Sequence, residues 1–434
     1  MFLISLDTTR ADALSVWGLP PAGRDDLVGQ VTTPNLDKLA RSGVRYAWAF
    51  AHAPSTLASH ATVFTGRDPH DLAIARNGFP LGDGPETLAA RLHKDGWATA
   101  AVLGSSALAR PMGMDRGFDS WDEQFSVDRK YRHEATAAEV TDRALAVLAS
   151  RDPAQPLFLF AHYYDAHGPY QAPGPGHFRT GGVVTPETIE RLARRCRKGE
   201  ADDPEVVAGI QQVRGAYLDE VAYVDKEVGR LLASPVGPAG RVVVVFGDHG
   251  EGLGEDPMRP FGHGGDVDVV DTHVPLIVVA SGLAPKVVDV AVGLQDVAPT
   301  LLGIVGDHVP FGTGVDLGTA GQEPTFIPME ATQPSESVWP AGVARTGAGS
   351  WNNLQNERGM VRGAEVVITA PWLAEAPRWW RLGRTGNGTE EDVASADAAL
   401  VPALAAWDAR APEFRSVTMD ESTKAALKAL GYEQ

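Results

Sequence analysis

The 434-residue chain has a single cysteine, Cys196, so it cannot form an internal disulfide bond. A chain without disulfides fits a reducing compartment. It also lacks any apolar run that approaches the roughly 20 residues of a membrane-spanning helix. Residues 1–6 are too few for the apolar core of a signal peptide and include no basic residue. We therefore expect a cytoplasmic chain as written, or a periplasmic or secreted one if a leader was removed.

Basic residues are scarce relative to acidic ones. There are 38 Lys and Arg residues against 56 Asp and Glu residues, which gives a formal net charge of −18. Such a charge repels nucleic acids and anionic membranes, so we expect no nucleic-acid surface. It does not exclude a small anionic substrate, because a bound cation can reverse the local field.

Apolar runs recur along the first three quarters of the chain. They lie at Phe2–Leu6, 98–103, Leu157–Tyr163, 242–246 and 276–280. Continuous runs, as opposed to alternating ones, are typical of strands buried on both faces of a parallel sheet. Helical patterns separate them, at 33–43, 86–94, 134–150, 205–233 and 295–305. The alternation predicts an α/β fold with a doubly wound, mostly parallel sheet.

The composition changes near residue 320, where Gly, Pro, Thr and Trp become frequent. Beyond that point, Glu365–Thr369 is an apolar run, and 394–409 and 423–430 have helical patterns. We therefore predict a catalytic domain over 1–320. A smaller α+β subdomain over 321–434 would add a small antiparallel sheet and a terminal helix.

Three aspartates, Asp7, Asp165 and Asp248, directly follow predicted strands. In open α/β sheets, ligands bind beyond the carboxyl ends of the strands, where all three would lie. Asp248 precedes His249 within Gly-Asp-His-Gly at 247–250, and this carboxylate–imidazole pair suits Zn or Mn, with Ca as a further option. The plain alternative for each residue is a polar turn or a helix cap.

Two further histidines, His167 and His263, lie in loops rich in Gly and Pro. Each alone could be a structural histidine. Taken with the residues above, they predict contacts to a second metal or to an anion.

The candidate nucleophile, Thr56, lies in Ala-Pro-Ser-Thr-Leu-Ala-Ser-His at 53–60, at the start of a short predicted helix. The positive end of the helix dipole favours an oxyanion there. A metal that contacts the hydroxyl would lower its pKa and activate it. The alternative is that Thr56 or Ser55 only caps the helix.

Ten segments of the chain resemble, in family order, the motifs of sulfatase-like proteins of the alkaline phosphatase superfamily. They are Leu-Ile-Ser-Leu-Asp-Thr-Thr-Arg-Ala-Asp at 3–12, Thr-Pro-Asn-Leu-Asp at 33–37, Ser-His-Ala-Thr-Val-Phe-Thr-Gly at 59–66, Gly-Phe-Asp at 117–119, His-Tyr-Tyr-Asp-Ala-His-Gly-Pro-Tyr at 162–170, Ala-Tyr-Val-Asp at 222–225, Gly-Asp-His-Gly-Glu-Gly at 247–252, Val-Pro-Leu-Ile at 274–277, Asp-Val-Ala-Pro-Thr at 296–300 and Leu-Gly-Tyr at 430–432. The resemblance implies an alkaline-phosphatase-like α/β domain with a small C-terminal sheet. It also implies in-line attack on phosphorus or sulfur through a covalent intermediate.

Roles for individual residues follow from the same resemblance. The implied metal ligands are Asp7, Thr56, Asp248 and His249, with Asp165 as a further candidate. Thr56 would also be the nucleophile, His167 and His263 would be catalytic, and Asn77 and His60 would bind the substrate. The Asp-x-His spacing at 165–167 differs from that of two-zinc members, so we expect one tight metal site, with a second possible.

The chain departs from true sulfatases at the nucleophile. Thr56 occupies the position of the cysteine or serine that matures to formylglycine, and Cys196 lies in Arg-Arg-Cys-Arg-Lys, which is no maturation site. Asp7-Thr8 replaces a paired aspartate, and the lysines that stabilise sulfate have no evident counterpart. Threonine nucleophiles with an Asp-His pair resemble instead nucleotide pyrophosphatase/phosphodiesterases, phosphonoacetate hydrolases and lipoteichoic-acid synthases.

The departures bear on the substrate. A formylglycine hydrate expels sulfate by elimination, whereas a threonine ester requires water to attack the central atom again, a route that favours phosphorus. We therefore predict a metal-dependent hydrolase of a small anionic phosphoester, with a phosphodiester or a phosphonate monoester favoured. The alternatives are a sulfate ester hydrolase, a phospho-group transferase and a catalytically silent binding protein. A homo-oligomer is possible.

Overall fold

The computed structural model describes residues 1–74, 76–125, 134–174, 176–234, 241–318, 324–332, 356–370, 377–382, 389–390 and 397–410. Its strands are β1 (Phe2–Leu6), β2 (Val44–Tyr46), β3 (Ala49–Phe50), β4 (Ala98–Val102), β5 (Ser120–Asp122), β6 (Leu157–Tyr163), β7 (Val243–Gly247), β8 (Gly252–Leu253), β9 (Phe261–Gly262), β10 (His273–Val274), β11 (Leu276–Val279), β12 (Lys286–Val288), β13 (Val292–Gly293), β14 (Ile327–Thr332), β15 (Asn356–Arg362), β16 (Glu365–Thr369), β17 (Arg378–Arg381) and β18 (Thr389–Glu390). Its α-helices are α1 (Pro34–Arg41), α2 (Thr56–Thr65), α3 (Pro69–Leu72), α4 (Leu88–Lys94), α5 (Ala137–Ser150), α6 (Pro186–Arg195), α7 (Pro204–Leu232), α8 (Val269–Thr272), α9 (Val297–Ile304) and α10 (Leu400–Asp408).

Eight strands form the main sheet, in the order β12-β2-β11-β7-β1-β6-β4-β5. Strand β11 runs antiparallel to both of its neighbours, β7 and β2, and the other pairs are parallel. The predicted α/β fold with a mostly parallel sheet is therefore confirmed. Strand β1 lies between β6 and β7, so the segments that follow these three strands meet at one edge.

Helices cover both faces of the sheet. Phe2, Ile4 and Leu6 of β1 pack with α1, α5 and α7, whereas Leu3 packs with α2, α4 and α9. Side chains alternate between the faces of a strand. Ser5 and Asp7 therefore follow Leu3 towards the face that α2 covers.

Capping explains why two helices begin later than their patterns predicted. Thr87 accepts a hydrogen bond from the backbone N of Ala90 at 3.1 Å, so α4 begins at Leu88. Thr136 and Glu139 form a capping box, so α5 begins at Ala137. Such reciprocal bonds satisfy the backbone N–H groups that a helix start leaves unpaired.

The C-terminal part forms the predicted small antiparallel sheet, β14 to β18 in sequential order. Helix α10 packs on it through Leu404 and Trp407, beside Val367 and Trp379. This helix corresponds to the predicted 394–409 segment, whereas 423–430 lies outside the described residues. The domain boundary at residue 320 stays a prediction.

A buried polar contact joins this sheet to the catalytic part. Trp407 stacks on His70 with ring centroids 3.5 Å apart, and its indole N–H donates to Asp68 at 3.1 Å. His70 also pairs with Glu330 of β14. Among the described residues, no helix has both the length and the apolar composition needed to cross a membrane.

Candidate active site

Helix α2 presents Thr56 in its first turn, and Asn77 satisfies the start of this helix. The Asn77 side-chain carbonyl accepts hydrogen bonds from the Leu57 backbone N at 2.7 Å and from the Ser55 hydroxyl at 3.1 Å. The Ser55 hydroxyl makes no capping bond to the helix. The capping role considered for Ser55 is thus filled by Asn77, and the Thr56 hydroxyl is directed elsewhere.

The Thr56 hydroxyl lies between residues from two strand ends. Its Oγ1 atom is 3.3 Å from Oδ2 of Asp7 and 3.4 Å from Nε2 of His249. Asp7, Asp248 and His249 each offer one ligand atom, and these atoms lie within 4.8 Å of one another. All four residues are fully buried. The structure thus brings together four of the five residues predicted as metal ligands.

Backbone geometry orients the Asp248 carboxylate. Its Oδ1 atom accepts hydrogen bonds from the backbone N–H groups of Thr8 at 3.0 Å and His249 at 2.8 Å. Thr8 adopts a left-handed conformation, with φ of 47°, in this turn. A β-carbon at Gly250 would lie 2.0 Å from the Val270 carbonyl oxygen, so this tight path requires glycine.

The tautomer of His249 follows from its backbone contact. Its Nδ1–H donates to the carbonyl of Gly250 at 2.9 Å, so Nε2, which lies 3.4 Å from Oγ1 of Thr56, is the nitrogen left to bind a metal. This is the usual arrangement of a metal-binding histidine, in which one nitrogen is fixed by an outer partner.

The pKa values of this group reflect burial of like charges. Burial raises the pKa of Asp7 to about 7, and burial together with the Asp7 carboxylate raises the pKa of Asp248 to about 6. Burial opposes protonation of His249, but the carboxylates of Asp248 and Asp7 outweigh it and raise the His249 pKa. The group therefore needs protons or a cation to offset its negative charge.

Two carboxylate oxygens indicate that the group formed by Asp7, Asp248 and His249 can hold a cation. Asp7 Oδ1 and Asp248 Oδ2 are buried and accept no hydrogen bond from any described residue. An unpaired buried carboxylate oxygen is costly unless it coordinates an ion. Two such oxygens beside an imidazole nitrogen form a donor set for a divalent metal such as Zn or Mn. The residues present fit a divalent cation, and its identity is a separate question.

His162 belongs to this site, although it is not among the residues predicted for it. It lies on β6 opposite Ser5 of β1, and its Nε2 atom is 3.0 Å from Oδ2 of Asp7. Burial lowers the pKa of His162 to about 4, so the ring is neutral and donates to the carboxylate. The available signal was a histidine inside an otherwise apolar strand, one of the positions where an ionisable residue is expensive.

Asn77 has an unused donor next to Thr56. Its Nδ2 atom is buried and has no hydrogen-bond partner among the described residues, while its carbonyl oxygen is fully engaged with the start of α2. A fixed amide with a free N–H is suited to contact an anionic oxygen.

His167 and His263 face each other across the site, with ring centroids 5.1 Å apart, and His263 lies 4.4 Å from the ring of His249. Nδ1 of His263 is 3.4 Å from Oε1 of Glu251, whose other oxygen accepts from Tyr170 at 2.6 Å. Nδ1 of His167 donates to the Gly168 carbonyl at 2.8 Å.

Both imidazoles are neutral. Burial lowers the pKa of His167 to about 4 and that of His263 well below its ordinary value. Nε2 of His167 has no hydrogen-bond partner among the described residues. His167 therefore presents a free lone pair towards the site.

His60 lies beneath Thr56, on the sheet side of α2. Its Nδ1–H donates to the Thr56 carbonyl at 2.7 Å, and its Nε2 accepts from the Ser5 hydroxyl at 2.8 Å. Both nitrogens of this fully buried ring are engaged within the protein. We therefore assign His60 to positioning of α2 and leave it out of the proposed substrate contacts.

Asp165 does not join the group of ligand atoms around Asp7. It lies near Tyr163 and Tyr223, whose pKa values it raises. Tyr163 points towards α5, where its hydroxyl contacts Thr141 at 2.9 Å. Because Asp165 is outside the group formed by Asp7, Asp248 and His249, we leave it out of the proposed metal site.

Comparison with known proteins gives one family and several relatives. The family model described as Sulfatase matches residues 1–307. An N-acetylglucosamine-6-O-sulfatase of Bacteroides thetaiotaomicron is 26% identical over 158 residues, which cover 34% of this chain and 28% of that protein. An arylsulfatase of Clostridium perfringens is 23% identical over 379 residues, which cover 71% of this chain and 75% of that protein.

Among solved structures, a phosphonate monoester hydrolase of Agrobacterium radiobacter has the same fold, with a TM-score of 0.64. It is 19% identical, and the match covers 95% of this chain and 96% of that one. At 19% identity this structure shows the fold alone. Both sequence relatives are named sulfatases, which agrees with the alternative of a sulfate ester hydrolase better than with the favoured phosphoester.

Proposed function

The chain belongs to the sulfatase family, and from that premise we propose that it hydrolyses a singly charged ester with Thr56 as the attacking residue. The observation that carries the proposal is the position of the Thr56 hydroxyl, 3.3 Å from Asp7 and 3.4 Å from His249. A hydroxyl held beside a metal-binding group at a helix start is a nucleophile arrangement, not a capping one.

The surrounding residues prepare Thr56 for attack. Its hydroxyl donates to Oδ2 of Asp7, which is the nearest proton acceptor. A divalent cation held by Asp7, Asp248 and His249 would lower the pKa of this hydroxyl and offset the charge of the substrate. The free amide N–H of Asn77 lies where it can bind a non-bridging oxygen of the substrate.

A second step must release the threonine ester, and it needs a base for water. His167 is neutral, with Nδ1–H bound to the Gly168 carbonyl and Nε2 free to accept a proton. His263 is also neutral and lies beside it. We assign His167 to proton transfer with the attacking water, and His263 to holding the substrate and water in place.

The charge of the site favours a singly charged substrate. The carboxylates of Asp7 and Asp248 together balance one divalent cation, and the neutral rings of His167 and His263 add no positive charge. The charged groups that most affect the pKa values of Asp7, Asp248 and His249 are carboxylates and histidines. No lysine in the described part of the chain is among them. A dianionic phosphate monoester would meet little compensating charge.

Among singly charged esters, we place phosphonate monoesters and phosphodiesters first. A threonine ester has to be cleaved by attack at its central atom, and phosphorus suits that route. A sulfate monoester is the second candidate, because the family model that matches the chain is named Sulfatase and both sequence relatives are named sulfatases.

Matched aryl esters test this order. We would measure kcat/KM for a phosphonate monoester, a phosphodiester, a phosphate monoester and a sulfate monoester with the same leaving group, each with Mn²⁺, Zn²⁺ and Ca²⁺. The phosphonate and the diester should exceed the phosphate monoester at least about tenfold. Asp248→Asn, prepared identically, measures the activity that a contaminating enzyme contributes. Added alcohol distinguishes a transferase, which would pass the group to the alcohol, from a hydrolase.

Each result has a defined meaning. If the sulfate ester is turned over fastest, the proposed substrate is a sulfate ester and not an ester of phosphorus. A phosphate monoester turned over fastest would contradict the charge argument. Equal rates for the wild type and Asp248→Asn on every ester would contradict a hydrolase at this site.

A further inference from the structure

A second group of carboxylates lies where the catalytic part meets the C-terminal sheet. Asp266, Asp268 and Glu357 each offer one oxygen, and these atoms lie within 4.8 Å of one another. The two aspartates follow the segment that carries His263, whereas Glu357 belongs to β15. The group therefore joins an active-site loop to the small sheet.

Two arginines contact this group, but they do not balance it. Arg259 pairs with Asp266 at 3.1 Å and is shared with Asp256 at 3.4 Å. Arg378 pairs with Asp268 at 3.3 Å and also with Glu357. Both guanidinium groups are thus divided between two carboxylates.

A fourth carboxyl, Asp271, is hydrogen-bonded to Asp266 and forms no ion pair among the described residues, although the charge of Arg10 also acts on it. It is 3% exposed, and its Oδ1 atom has no hydrogen-bond partner in that part of the chain. Asp271 lines a cavity of about 270 Å³ together with Asp266, Asp268 and Trp380. A buried carboxylate oxygen without a hydrogen-bond partner, in a residue that lines a cavity, calls for a ligand.

The raised pKa values of Asp268, Asp271 and Glu357 agree with a shortage of positive charge around these carboxyls. Burial, with Asp266 and Asp268 adding to it, raises the pKa of Asp271 well above its ordinary value. Burial also raises the pKa of Asp268 to about 6 and that of Glu357 to about 7. The four carboxyls outnumber the two guanidinium groups that pair with them, and Arg259 is also shared with Asp256, so the group has an excess of negative charge that a divalent cation would offset.

We propose that Asp266, Asp268 and Glu357 bind a divalent cation, Ca²⁺ above all, with Asp271 as a further ligand from the adjoining cavity, and that the ion fastens the His263 loop to the C-terminal sheet. The donors are all oxygens, which hard cations prefer, and Ca²⁺ tolerates an irregular set of carboxylates better than Mg²⁺ does. The ligand set differs from that of Asp7, Asp248 and His249, which includes an imidazole. The two sites should therefore differ in metal preference.

The test counts bound ions in the full-length protein. After chelator treatment, the wild type should bind one equivalent more of Ca²⁺ than Asp271→Asn and Asp268→Asn, as counted by equilibrium dialysis. Asp248→Asn is the matched control, because it alters the other site and should keep this equivalent. Asparagine has nearly the same shape as aspartate, and Asp268 is half-buried. Asp268→Asn should therefore fold, and circular dichroism checks that it does.

Terbium luminescence locates the ion. Tb³⁺ in this cavity should be sensitised by Trp380, and the emission should persist in Asp248→Asn but fall at least about fivefold in Asp268→Asn. Trp380→Phe should lose the emission and keep the bound Ca²⁺.

The proposal is overturned if Asp268→Asn and Asp271→Asn bind as many equivalents of Ca²⁺ as the wild type. It is also overturned if Asp248→Asn alone removes all bound ions. Neither measurement involves turnover, so this result and that of the ester panel are independent.

Discussion

The Nε2 atom of His162 lies 3.0 Å from Oδ2 of Asp7, so a histidine on one strand fixes a carboxylate at the end of the neighbouring strand. Because outer partners of metal ligands typically contribute 10–100-fold to metal affinity, His162→Ala should weaken Mn²⁺ binding about 10–100-fold. His162→Gln, which keeps an N–H donor, should lose less. Competition with a chelator dye measures the affinity.

His52 provides the control for that experiment. It is a fully buried histidine that donates to the Pro328 carbonyl at 2.7 Å and makes no contact with Asp7. His52→Gln should leave Mn²⁺ affinity within about twofold of the wild type. An unchanged affinity in folded His162→Ala would show that Asp7 needs no partner.

Substitutions of Thr56 separate its hydroxyl from its shape. Thr56→Val preserves the branched side chain without the hydroxyl, and it should lower kcat at least about a thousandfold, because a covalent nucleophile is lost. Thr56→Ser should retain measurable turnover. Steady-state kinetics on the best ester from the panel measures both. If Thr56→Val keeps more than about a tenth of the wild-type kcat, another residue attacks the substrate.

The Asn77 side chain has two functions, and one substitution divides them. Asn77→Asp keeps the oxygen that accepts from Leu57 and Ser55, so α2 should stay capped, while the second, unpaired carboxylate oxygen should lower the thermal midpoint. It replaces the free N–H with an oxygen that repels an anionic substrate, and kcat/KM should fall about 10–100-fold. Equal kcat/KM values for Asn77→Asp and the wild type would remove Asn77 from the substrate site.

Stability should fall in acid because buried histidines are held neutral. Burial lowers the pKa of His52 to about 4 from an ordinary value of 6.5. Below pH 6.5 the unfolded chain takes up this proton before the folded one does. The stabilising contribution is therefore complete above pH 6.5 and is lost as the pH falls towards 4.

The difference between the wild type and His52→Gln isolates this contribution. Urea unfolding between pH 7 and 4 should show a loss of unfolding free energy that is smaller in His52→Gln, by up to about 3 kcal/mol. If the unfolding free energies of the two proteins change with pH in parallel, His52 has the same pKa in the folded and unfolded states, which contradicts the prediction.

Much of the frame could be predicted, because buried parallel strands have a distinct pattern. The runs at Phe2–Leu6 and Leu157–Tyr163 match β1 and β6 to the residue. Strands β2 and β12 were missed, since three residues carry little periodic signal. Asp7, Asp248 and His249 were predicted together because the carboxyl ends of parallel strands share one edge.

What the sequence could not predict in the site is which side chains meet. Asp165 follows a strand as Asp7 does, but it lies in the turn beyond β6 and is not in the group of ligand atoms that Asp7 forms with Asp248 and His249. His60 and His162 both occur in motifs, yet only pairing between distant strands distinguishes the ring that meets Asp7 from the ring that supports α2. Such register is a tertiary property that local sequence does not contain.

The central place of β1 has a consequence for the order in which the protein acquires its parts during synthesis. The ribosome makes β1 before its two neighbours, and the residues that complete its surroundings come 155 positions after Asp7 at His162 and 240 positions after Thr8 at Asp248. Until β6 has emerged, the apolar β1 has no edge partner, until β7 has emerged it has only one, and closing such long loops is slow. A chain that ends before residue 243 therefore lacks Asp248 and His249, two of the three residues of the candidate metal site, so this site can be assembled only after β7 has been made.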